Sequence, residues 1–253
     1  MGISSLTTQR LLEHASEYDG AKWGRGLGRD AALAVLDLVD HCGWSDYLIQ
    51  QIAGGIADTH PELVLDRLAV AAEARGSAPY DPDGIPDAFD RHSDLLARWL
   101  ATTAVTSPVA ASFVAGVVMS HGMTENQARS FDHTARTADT KTLAALICAL
   151  NAVDGWPLHH PGLADHMFSA ARIADRATAD TIRQQVTSAM RPSHWGWSAG
   201  VSEEINRYRA AADEALTRKY MNNELRHAVQ ETSDWLDDEI RGIAARYDEL
   251  KNE

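Results

Sequence analysis

The sequence predicts an all-α protein, an α-solenoid of stacked helix pairs closed by a long C-terminal helix. Three observations predict it. Apolar residues recur every three to four positions along nearly the whole chain, the spacing of one buried helical face. No segment alternates with period two for long enough to make a strand. The phrase THPELVLDRLAVAAEARG, from Thr59 to Gly76, is echoed by HHPGLADHMFSAARIADR, from His159 to Arg176. His60 matches His160, Pro61 matches Pro161, Leu63 matches Leu163, Ala71 matches Ala171 and Ala74 matches Ala174. A chain that repeats a helical phrase builds units that bury their apolar faces by stacking on one another.

The elements follow in order. SLTTQRLLEHASEY sets Leu6, Leu11, Leu12 and Ala15 among polar residues. GRDAALAVLDLVDHCG offers Asp30 as an N-cap and Gly43 as a stop, and SDYLIQQIAGGIAD offers Ser45 as a cap. In the next helix Pro61 suits the first turn, where its missing N–H costs nothing, and Gly76 ends it. SAPYDPDGIPD, from Ser77 to Asp87, reads as consecutive turns and as a boundary between lobes, 1–78 and 85–253. AFDRHSDLLARWLATTAV resumes the helical pattern. SPVAASFVAGVVMSHG starts on Ser107 and Pro108 and stops at Gly122; its apolar run is shorter than the ~20 residues that cross a bilayer, so it reads as a buried helix. TENQARSFDHTARTAD opens on a Thr124 cap, and TKTLAALICALNAVDG on Thr140 or Asp139. The second His-Pro helix is expected to run to about Arg176, with TADTIRQQVTSAM after it. SEEINRYRAAADEALTRKY reads as a long polar helix, and the last helix carries Leu225, Val229, Leu236, Ile240, Ile243, Tyr247 and Leu250 on one stripe. That stripe suits packing onto the array or a coiled-coil seam.

Composition narrows the partners. The net charge is −13 and the sequence pI about 5.2, so phosphate backbones and anionic membranes are repelled. Cys42 and Cys148 lie in apolar helical segments outside any CxxC, which predicts buried thiols in a reducing compartment. MGISSLTTQRLLEH turns polar too early for a secretory signal. The expected location is therefore cytoplasmic, with no membrane partner.

The phrases DAALAVLDLVDHCG, HPELVLDRL, DRHSDLLARWL and VDGWPLHHPGLADHM resemble HEAT or armadillo-type helix pairs of roughly forty residues. Their flavour is similar to the C-terminal helical-repeat region of large bacterial signalling and defence NTPases. That resemblance implies recognition of a partner, or sensing within a larger assembly, and no chemistry of its own.

Candidate sites are few. GAKWGRGLGRD gathers Lys22, Arg25 and Arg29 among four glycines, a weak anion cradle that lacks the strand of a dinucleotide fold and the GK[ST] of a P-loop; a plain helix–helix connection is the simpler reading. MRPSHWGWSAG puts Arg191, His194, Trp195 and Trp197 in one loop, the residue types that anchor protein interfaces. Trp156 and His159 of VDGWPLHHPG are expected on the same surface. The competing reading has Trp195 and Trp197 plugging the joint between two repeats, with Pro192 and Gly196 shaping the turn. His160, Asp165 and His166, and the pair Glu224 and His227, fall short of a metal set, because no second Glu-x-x-His and no HExxH exist. Asp234, Asp237, Asp238 and Glu239 read as a solvated helix face. SxxK is absent. No cofactor and no catalytic residue are expected.

The leading expectation is a non-catalytic repeat protein that recognises another protein or a ligand. One alternative is a HEAT-like alkylpurine glycosylase using Trp195, Trp197, Arg191 and Asp165, against which the acidic charge argues. The other is a homo-oligomer joined through the last helix.

Overall fold

The computed structural model describes residues 19–42, 47–75, 85–191 and 201–251. Among them the chain forms 14 α-helices and no strand. The absence of period-two patterning is realised directly, with somewhat more helices than the apolar periodicity alone separates. The chain divides into two compact units, Met1–Val153 and Asp154–Glu253. The turn-rich stretch read as a lobe boundary falls inside the first unit, and residues 77–84 of it lie outside the described residues.

The first unit holds α1 (Gly20–Arg25), α2 (Arg29–Cys42), α3 (Tyr47–Thr59), α4 (Pro61–Arg75), α5 (Ile85–Arg91), α6 (Ser93–Thr106), α7 (Pro108–Val118), α8 (Glu125–Thr137) and α9 (Thr140–Leu150). Its order is regular. Helices α2, α4, α6 and α8 begin at Arg29, Pro61, Ser93 and Glu125, a constant step along the chain. The odd-numbered helices form one row, α1 on α3, α3 on α5, α5 on α7 and α7 on α9. In the even-numbered set α2 packs on α4 and α6 on α8, while Trp99 Nε1 of α6 donates to Asp66 of α4 at 2.9 Å. The two sets meet where α4 packs on α7 and α6 on α9.

Polar side chains tie neighbours together at nearly the same separation. Arg25 donates to Asp58 at 3.2 Å and Arg29 to Glu62 at 2.7 Å, each across 33 residues. His60 Nε2 lies 3.2 Å from Leu27 O, again 33 residues away, and His92 Nε2 lies 3.0 Å from Asp58 O, 34 away. Thr124 Oγ1 donates to Asp90 at 2.5 Å across 34 residues. The step is shorter than the forty residues expected of the helix pairs.

Local chemistry sets the ends. Thr124 and Gln127 make a reciprocal capping box on α8, and Asp139 caps α9 by accepting from the Thr142 amide. Pro108 occupies the first turn of α7, and Gly122 sits at φ 92 in the turn after it. Asp30, expected as a cap, lies in the first turn of α2 instead, where a carboxylate still favours the positive helix end. GAKWGRGLGRD is more than a connection: its first half is α1. It packs so tightly on α3 that a Cβ on Gly24 would meet Ile52 O at 2.4 Å, and one on Gly55 would meet Ala21 O at 2.1 Å. AFDRHSDLLARWL is divided at His92 into α5 and α6. The apolar run of α7 is buried at Ala111, Val114, Ala115 and Val118, although Val109 faces solvent. The expected cap Ser45 and the expected stops Gly43 and Gly76 lie outside the described residues.

The second unit holds α10 (Trp156–His159), α11 (Pro161–Ala170), α12 (Arg176–Ser188), α13 (Val201–Leu216) and α14 (Asn223–Lys251). The second His-Pro helix ends at Ala170, and Asp175 caps a new helix at Arg176, so one expected helix is split by the turn 171–175. α10 packs on α11 and α13, α11 on α12 and α14, and α13 on α14. Leu225, Val229 and Leu236 of the predicted stripe are buried here. Arg209 of α13 grips Asp237 of α14 in a fork, Nε to Oδ1 at 2.6 Å and Nη2 to Oδ2 at 3.2 Å, and also pairs with Asp213. These bonds hold the Asp237 carboxyl below its usual range. No helix among the described residues is long and apolar enough to cross a membrane.

Candidate functional site

Among the described residues a shallow, open polar groove lies on the first unit between α6 and α8. Its walls are Ser93 and Asp94 on one side and Asn126, Arg129 and Ser130 on the other, around about 250 Å³ that opens to solvent. The helix step creates it: Ser93 and Asp94 open α6 as Glu125 and Asn126 open α8, so like positions of successive helices share an edge.

Internal bonds fix the walls. Ser130, only 6% exposed, donates to Asp94 Oδ1 at 2.6 Å and lies 3.0 Å from Ser93 Oγ. Asn126 Nδ2 donates to Asp90 Oδ2 at 3.2 Å, and Thr124 occupies the other oxygen of Asp90. Arg129 donates from Nε to Glu125 O at 3.3 Å and from Nη2 to Asn126 Oδ1. Its guanidinium therefore rests on neutral oxygens, with no carboxylate partner among the described residues. The sequence reading missed all five lining residues. Their signal is the acceptor carried at the second position of successive helices: Asp30, Glu62, Asp94 and Asn126.

The residues singled out from sequence are placed as follows. Trp156 is 1% exposed and belongs to the core of the second unit, so its ring offers no contact surface; its Nε1–H is buried without a partner. His159 is exposed and meets the Tyr208 ring edge-on, centroids 5.8 Å apart. Partial burial, then the positive fields of His160 and Arg207, hold its imidazole below the usual range. Tyr208 is pushed well above its ordinary value by burial and by Asp154 and Glu204. Arg191 lies over the Trp235 ring at 5.2 Å, a cation–π contact inside the chain. His194, Trp195 and Trp197 lie outside the described residues.

Of the anion cradle, Arg25 pairs with Asp58, which also holds Arg91, and Arg29 pairs with Glu62. Burial acts against the charged Glu62, yet its own backbone amide and Arg29 hold its carboxyl below the ordinary range. Two of the three cations are thus already matched by carboxylates, and they tie helices together where a phosphate was to sit. The His and carboxylate groups are likewise engaged: Glu224 accepts from Arg183 at 3.0 Å, His227 faces Glu231 at 3.2 Å, and Asp165 accepts from the Asn222 amide. No group of three metal-binding side chains occurs among the described residues. Cys148 is half-buried, and burial raises its thiol. No family model, curated protein or solved structure matches this chain.

Proposed function

We propose that this chain is a non-catalytic helical-repeat protein, a solenoid of HEAT-like helix pairs over at least its first unit, that recognises a protein partner. The observation that carries the reading is the constant step of α2, α4, α6 and α8 together with the ties made 33 to 37 residues apart. A repeat that contacts mainly its neighbours presents like surfaces side by side, and such surfaces bind extended partners without specialised chemistry. Net charge of −13 favours a protein over a nucleic-acid partner. The resemblance to repeat regions of bacterial signalling and defence assemblies extends the proposal to a sensing or regulatory subunit of such a machine.

The test is retention of a defined protein from the native host's lysate by the immobilised full chain. It is repeated with Trp195→Ala and Trp197→Ala, and the melting temperature of each variant is measured. Retention that is lost in variants with unchanged melting supports the reading and the loop as contact. A wild-type chain that retains nothing above a blank matrix sinks the reading.

A further inference from the structure

We draw no further inference here: the strongest candidate, the N-terminal end of α11, where the Arg218 guanidinium approaches Gly162 and His159 and His160 precede the helix, rests on a helix N-terminus alone, with nothing among the described residues that points to a ligand there.

Discussion

Replacing Gly55 with alanine tests the tightest contact in the first unit. An added Cβ would lie 2.1 Å from Ala21 O, 2.8 Å from Ala21 C and 2.9 Å from Ala21 Cα, all backbone atoms of α1. No side-chain rotation relieves them, so α1 must move off α3 by about 1 Å to restore ordinary contact. Overpacking of this kind costs about 3 kcal/mol at the upper end of its usual range, and alanine returns about 1 kcal/mol through better helix propensity. The net expectation is a loss of about 2 kcal/mol, or roughly 6 °C in the melting of the first unit. Gly116 supplies the control, because its added Cβ meets the Ala152 Cβ at an ordinary 3.4 Å. Gly116→Ala gains helix propensity without a clash and is expected to leave stability unchanged or raise it. Gly24→Ala meets Ile52 O at 2.4 Å and should behave like Gly55→Ala. The double variant should lose less than the sum, since one separation of the helices relieves both. Scanning calorimetry reads all four. A Gly55→Ala protein that melts as high as Gly116→Ala would refute the backbone-on-backbone crossing.

The second unit gives three further predictions. Gly155 adopts φ 70, and a Cβ there would meet Tyr208 Cε1 at 2.5 Å, so Gly155→Ala lowers melting; Tyr208→Ala in the same chain should recover the clash but not the strain. Trp156→Ala empties a fully buried site and should cost about 3–5 kcal/mol, whereas Trp156→Phe also removes an unbonded N–H and should cost clearly less, as denaturant titration will show. His159 titrates lower in the fold than in the unfolded chain, where it sits near 6.5, so the unfolded state binds more protons in between. Its contribution is fully present above pH 6.5 and is lost as pH falls through the folded value. Melting measured from pH 7 to 5 should therefore fall less steeply in His159→Gln than in wild type.

Much of the architecture was legible residue by residue. Thr124, Asp139 as one of two candidates, and Pro61 and Pro108 act at helix starts through their own side chains or rings, so local sequence pointed to them; the reciprocal part of Gln127 came only with the structure. The apolar spacing of Leu63, Leu65 and Leu68, or of Leu225 and Val229, places a buried face wherever the neighbouring helix comes from. The split at 171–175 was less legible because MFSAARIADR keeps helical spacing through the turn, and only the Asp175 cap marks the restart.

What the sequence determined alone is therefore helix, start by start, because capping and amphipathic spacing act within a few residues. What only the tertiary structure decided is which polar groups meet. Arg25 and Arg29 were weighed as part of a weak anion cradle, but Asp58 and Glu62 reach them across 33 residues. Trp156 was read as surface and is core. The groove needed Asp94 and Arg129 to arrive from different helices, a meeting set by helix packing and invisible to any local pattern.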